Sequence, residues 1–74
     1  MTLTIKLFAI FQEGRFAVQT REYPPSTTVE EIVNDLRIPK VEVGILLLNG
    51  RHVTFDHCPD AGDVLAIFPV IGGG

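Results

Sequence analysis

The stretch TTVEEIVNDL, residues 27–36, decides the fold because it carries a complete helix pattern. Thr27 and Thr28 are both candidate N-caps, and Glu30 or Glu31, three residues later, completes a capping box. Apolar residues recur here at spacings of three and four, which places Val29, Ile32, Val33 and Leu36 on one side. The sequence therefore predicts a helix that packs through a single apolar face.

Two strands are predicted before this helix. Residues 2–8 alternate polar and apolar side chains, and after a turn at residues 12–15 the alternation resumes over residues 16–20. The side chains expected to face inward are Leu3, Ile5 and Leu7 in the first strand, and Phe16 and Val18 in the second. The two strands are expected to form an antiparallel hairpin.

Three further strands are predicted after the helix. Residues 45–48 are continuously apolar, which is typical of a central strand covered on both faces. Asn49-Gly50 favours a type I′ turn, so residues 51–55 are expected to form the return strand. A polar loop then leads to a last strand at residues 64–68, which is expected to lie beside the first.

This order of elements predicts an α+β fold. One main helix has to cover one face of a small mixed sheet of about five strands, as in the ubiquitin-like β-grasp. We expect residues 1–71 to form this domain and residues 72–74 to form a flexible glycine tail.

Composition excludes several classes of function. The 74 residues suffice for one domain, and the net charge of -3, with six scattered Lys and Arg residues, argues against a nucleic-acid partner. No apolar stretch approaches the ~20 residues of a membrane span, and no signal-peptide pattern opens the chain. The single cysteine, Cys58, fits a reducing compartment, so we expect a cytoplasmic protein without membrane association.

The three glycines Gly72-Gly73-Gly74 follow an apolar run. Glycine loses the most conformational entropy on ordering, so three in succession do not serve stability. A backbone without Cβ atoms can, however, enter a slot too narrow for other residues. The simplest functional interpretation is that a partner enzyme threads this tail and acts on the carboxylate of Gly74. A frayed end without function is the alternative.

Several segments resemble the ubiquitin-like sulfur carriers. The matching segments are Leu7-Phe8-Ala9, residues 28–32, Leu48-Asn49-Gly50, Phe55-Asp56-His57 and residues 62–74. The similarity is greatest to the small subunit of molybdopterin synthase and next to the thiamine sulfur carrier. It spans nearly the whole chain and is most specific in the last third.

The resemblance implies a carrier that is not itself an enzyme. An E1-like enzyme adenylates the carboxylate of Gly74 with ATP, and sulfur delivery converts it to a thiocarboxylate. The large subunit of molybdopterin synthase, or another acceptor enzyme, then takes the sulfur. Gly73 and Gly74 are the reactive pair, and no cofactor is permanently bound.

The resemblance also implies a partner-binding surface. Phe8 and Phe68 occupy its apolar docking face, and His52 stands where the molybdopterin branch usually has an aliphatic residue. Gly72 stands where the family often has Ala, Ser or Thr. Because consecutive apolar residues leave the sheet at its end, part of the run Pro69, Val70 and Ile71 is expected to be exposed for docking.

Other interpretations stay open. Pro69 is typical of the molybdopterin branch, whereas Val70-Ile71 is closer to the thiamine branch, and either pathway, or another thiolation pathway, uses the same chemistry. A ubiquitin-like protein modifier would instead form an isopeptide bond through Gly74, and a plain interaction module would not be adenylated. A metal site around His57 and Cys58 is not expected, because zinc sites draw four ligands at wider, paired spacings.

Overall fold

The computed structural model describes residues 1–71. Within this range, the strands and the α-helix are β1 Thr2–Leu7, β2 Val18–Glu22, α1 Val29–Asp35, β3 Val43–Leu48, β4 Arg51–His52 and β5 Val64–Pro69. Two short 3-10 turns, Ala9–Gln12 and Lys40–Glu42, complete the elements. The predicted glycine tail, residues 72–74, lies outside the described residues.

The strands of residues 1–71 form a five-stranded mixed sheet in the order β2-β1-β5-β3-β4. β1 and β5 run parallel, with Ile5 opposite Leu65, and the other neighbouring pairs are antiparallel. The predicted α+β architecture and the placement of the last strand beside the first are confirmed. The centre of the sheet is β5.

A capping box fixes the start of α1. The hydroxyl of Thr28 accepts a hydrogen bond from the N–H of Glu31 at 3.2 Å, and the Glu31 carboxylate accepts one from the N–H of Thr28 at 2.9 Å. Thr27 instead donates its hydroxyl to the Pro24 carbonyl at 2.6 Å. Thr28 is therefore the N-cap, a contribution of about 1 kcal/mol in typical helices.

The core lies between α1 and one face of the sheet. The predicted helix face and the inward residues of β1 are confirmed, and all of these residues are buried. The buried apolar side chains are Leu3, Ile5, Leu7, Phe11, Val29, Ile32, Val33, Leu36, Ile38, Leu46, Leu48, Leu65 and Ile67. Phe11, only 2% exposed, enters this core from the turn Ala9–Gln12, which the sequence analysis did not predict.

The predicted inward orientation of Val18 is wrong. Val18 opens β2 opposite Lys6 and is 59% exposed, so it lies on the solvent face of the sheet. Phe16 precedes the strand and packs against the core from there. The strand was predicted to begin at Phe16, but Phe16 reaches the core from the segment before β2, and Val18 pairs with the outward-facing Lys6.

The prediction that residues 45–48 are covered on both faces is also wrong. Leu46 and Leu48 are buried, but Ile45 is 37% exposed and Leu47 is only half-buried. The Asn49-Gly50 turn is confirmed, since both residues have positive φ angles of 51° and 82°. The return strand β4 is only two residues long, shorter than the predicted 51–55.

Arg15 ties the loop after β1 to the end of α1. Its guanidinium donates to the carbonyls of Phe11 at 3.2 Å, Leu36 at 2.9 Å and Arg37 at 3.0 Å. The last carbonyls of a helix have no partner within the helix, so a cation is favourable at this end. Arg15 thereby holds one end of the helix against the loop that contains Phe11.

Candidate functional site

The face of the sheet turned away from α1 carries three of the predicted partner-binding residues, Phe8, His52 and Phe68. Because side chains alternate along a strand, the positions between the buried ones point to this open face. The strand register aligns Lys6, Ala66, Leu47 and His52 in one row across β1, β5, β3 and β4. His52 is exposed and lies at the edge of this row, beside Leu47.

Phe8 and Phe68 form the second row on this face. Phe8 directly follows β1, and its ring stacks on that of Phe68 with the centroids 4.1 Å apart and the planes 10° apart. Ile45 lies opposite Phe68 on the neighbouring strand. The two aromatic residues that the resemblance assigned to docking therefore lie in contact on one surface.

We call the group Phe8, Ile45, Leu47, Ala66 and Phe68 the open-face patch. All five side chains are at least partly accessible to solvent. Ile45 and Leu47 were missed by the sequence analysis, which took their strand to be covered on both sides. The sequence carries no local signal for them, because residues 45–48 are all apolar and only the register with β5 shows which of them face solvent.

The chain leaves the sheet beside this patch. Pro69 ends β5 and is half-buried, whereas Val70 and Ile71 are exposed, Ile71 to 87%. The N–H of Val70 donates a hydrogen bond to the carbonyl of Glu42 at 2.9 Å, so the first residue after β5 is still held by the backbone before β3. Part of the apolar run Pro69, Val70 and Ile71 is thus exposed, as expected from the sequence.

Gly72, Gly73 and Gly74 lie outside the described residues. Their assignment as the reactive segment stays a prediction from the sequence. The structure does place the residues that precede them next to the open-face patch.

Asp63 orders the start of β5. Its carboxylate accepts hydrogen bonds from the N–H of Asp60 and the side-chain amide of Asn49, both at 2.8 Å. The Asn49 side chain in turn accepts one from the N–H of Val64 at 2.9 Å. The Asp60 backbone, followed by Asn49, holds the pKa of Asp63 below its usual value. Asp63 therefore links the hairpin turn to the strand that ends at the candidate site.

Residues 1–71 do not support a metal site or a membrane-spanning helix. No group of three or more His, Cys, Asp and Glu side chains there could hold a metal ion. Cys58 is exposed, and its thiol donates to the Ser26 carbonyl at 3.6 Å. In the same part of the chain, no helix has the length and apolar character needed to cross a membrane.

Comparison with known proteins gives a family match. The sequence matches the family described as Mut7-C ubiquitin over residues 5–72. No curated protein matches it.

Several solved structures share the fold. The putative molybdopterin converting factor, subunit 1, of Pyrococcus furiosus is 24% identical, with a TM-score of 0.77 over 96% of this chain and 99% of that one. Small archaeal modifier protein 1 of Haloferax volcanii is 22% identical, with a TM-score of 0.76 over 95% and 98% of the two chains.

A third structure is a complex. A chain in the complex of subunits 1 and 2 of the molybdopterin-converting factor of Helicobacter pylori 26695 is 18% identical, with a TM-score of 0.68 and 100% coverage of both chains. At these identities the comparison demonstrates the fold. Together with the family match, it confirms the predicted ubiquitin-like β-grasp.

Proposed function

Because the chain belongs to the Mut7-C ubiquitin family, we propose that it is a sulfur carrier that works through the carboxylate of Gly74. The observation that carries this proposal is the open-face patch beside the exposed exit of β5. A docking surface next to the point where the chain leaves the sheet is what a carrier needs, since the partner has to hold the domain while it acts on the tail. The groups that catalyse the reaction belong to the partner.

The chemistry proceeds through an activated acyl group. A carboxylate is a poor acyl donor because its leaving group is oxide. An E1-like partner transfers the adenylyl group of ATP to the Gly74 carboxylate and releases pyrophosphate. A sulfide-level sulfur nucleophile then attacks the acyl carbon, AMP leaves, and the acyl group becomes the thiocarboxylate. ATP is consumed by the partner, and the chain itself needs no bound cofactor.

The acceptor that we propose is the large subunit of molybdopterin synthase. The likeness to a chain in the Helicobacter pylori complex of subunits 1 and 2 supports a partner of this kind. The stacked rings of Phe8 and Phe68, with Ile45 beside them, provide an apolar centre for such an interface. The exposed Cys58, which has no second cysteine to pair with in the sequence, supports a reducing, cytoplasmic location.

A protein modifier is the second candidate. The likeness to small archaeal modifier protein 1 favours it, because the two chains share the fold over nearly their full length. In this case the adenylated Gly74 is attacked by a lysine amine instead of sulfur, and an isopeptide bond forms. A carrier for thiamine synthesis or another thiolation pathway differs only in the acceptor.

Intact mass after activation distinguishes these functions. The chain is incubated with ATP, a sulfur donor and the E1-like enzyme of the same genome. Replacement of one carboxylate oxygen by sulfur raises its mass by about 16 Da at the acyl group. No gain in mass by the full chain contradicts the carrier proposal, and lysine conjugates in cell extracts identify a modifier.

A further inference from the structure

Gly44 lies against the backbone at the end of β5. A Cβ atom at this position would be 2.7 Å from the carbonyl oxygen of Pro69 and 2.9 Å from the Cα of Val70. Contacts below 3.0 Å are essentially never made by real Cβ atoms. Both neighbours are backbone atoms, so neither can rotate away. Any residue other than glycine therefore has to push the end of β5 outward.

The pairing of β3 with β5 is irregular at the same point. Ile45 lies opposite Phe68 and Val43 opposite Pro69, so β3 has one residue more than β5 over this interval. Gly44 is the extra residue, as in a β-bulge. Glu42, just before β3, accepts the hydrogen bond from the Val70 N–H at 2.9 Å. The departing chain is thus held at Glu42 and lies against Gly44.

Neither backbone conformation nor the core explains the glycine here. The glycines with positive φ in residues 1–71 are Gly14, Gly50 and Gly62, whereas Gly44 has a φ that other residues adopt. Gly44 is also exposed to solvent, so no buried side chain requires the space. What remains is the close approach of the β5 backbone.

Resting on the proposed function, we infer that Gly44 is a positioning residue for the reactive tail. By admitting the backbone of Pro69 and Val70 against β3, it sets the point and the direction from which the chain continues beyond Ile71. Three fully extended residues span at most about 10 Å. A displacement of the residue before them is therefore large relative to the distance that they can cover. Misplacement of a reacting group by about 1 Å can cost about 100-fold in rate.

The test compares Gly44→Ala with Gly14→Ala. A Cβ at Gly14 meets nothing within 4 Å, but the φ of +68° makes that substitution strained, so it controls for a general loss of stability. The first measurement is hydrogen exchange at the Val70 amide. We expect exchange about tenfold faster or more in Gly44→Ala, because its hydrogen bond to Glu42 is disrupted, and little change in Gly14→Ala.

The second measurement is the rate at which the E1-like enzyme adenylates each variant, detected as the release of pyrophosphate. For Gly44→Ala we expect kcat to fall about tenfold or more because the tail is misplaced, with KM changed less than about twofold because every side chain of the open-face patch is still present. Gly14→Ala is expected to retain both constants within about twofold.

The outcomes separate this inference from the proposed function. Unchanged protection of the Val70 amide in Gly44→Ala, or lost protection with an unchanged kcat, overturns the positioning role while the carrier proposal stands. A wild-type chain that is not activated overturns the proposed function, and the positioning role falls with it.

Discussion

The ring of Phe8 lies on the ring of Phe68, with 4.1 Å between the centroids and 10° between the planes. This contact joins the end of β1 to the end of β5, the strand from which the chain continues to its glycines. Both rings lie on the face opposite the helix, so they are not part of the buried core. The contact gives the proposed docking surface an apolar centre near the end of β5 without using residues of the buried core.

A charge at the centre of this patch should impair docking more than folding. For Phe68→Asp we expect acceptor binding to weaken about 100-fold, because a central aromatic anchor typically contributes 2 kcal/mol or more, about 30-fold, and the charge must also be desolvated. The loss in stability should stay near 1–2 kcal/mol, since the stacked pair is only half-buried. Calorimetric titration with the acceptor and urea unfolding measure the two effects. If Phe68→Asp does not fold, Phe68 is needed for the stability of the domain, which contradicts a role confined to docking.

The docking surface should be confined to the part of the open face around β3 and β5. Ile45→Lys places a charge beside Phe68, whereas the matched Val18→Lys places one on the same face at the edge strand β2. We expect Ile45→Lys to weaken acceptor binding about tenfold or more and Val18→Lys to change it less than about twofold. Equal effects of the two charges on binding would contradict the location of the docking surface.

Arg15 should matter for stability. Arg15→Ala removes the donors to three carbonyls, two of them at the end of α1, and we expect a loss of about 2 kcal/mol. Arg15→Lys, which keeps the charge but not the planar fork, should recover only part of it. Urea unfolding followed by circular dichroism measures both variants. A stability of Arg15→Ala within about 0.5 kcal/mol of wild type would show that the three hydrogen bonds are dispensable.

Asp63 should contribute to stability at neutral pH and lose this contribution in acid. Its pKa is lowered in the folded protein from the usual 3.8, so the folded state favours the charged carboxylate. The stabilisation is complete above about pH 5 and disappears as the pH falls through the folded pKa, below about 3.8. Solvent still reaches the carboxylate and screens its interactions, so we expect less than about 1 kcal/mol.

Unfolding free energies of wild type and Asp63→Asn between pH 7 and pH 2 measure this contribution. The difference between the two should be largest near neutrality and shrink in acid. A difference that is the same at both ends of this range would show that the ionised carboxylate has no role.

The features that the sequence predicted are those set by local chemistry. The capping box at Thr28 and Glu31, the helix face and the Asn49-Gly50 turn each depend on residues close in the chain. The alternation of Leu3, Ile5 and Leu7 is similarly local. From these elements and their order, the β-grasp follows.

The features that the sequence did not predict depend on distant contacts. Val18 and Ile45 are apolar, and only the pairing of their strands shows that they face solvent. Phe11 reaches the core through an irregular turn without a periodic pattern. Gly44 is conspicuous only when the backbone of Pro69, far away in the chain, is placed against it.

The central claim is that sulfur is carried by the last residue. After incubation with ATP, the E1-like enzyme and a sulfur donor, fragmentation of the intact chain in the mass spectrometer locates the added mass. The account predicts a gain of about 16 Da confined to fragments that contain Gly74, and none in a chain that lacks Gly74 but folds normally. Sulfur added to the shortened chain, or found at Cys58 instead, would contradict it.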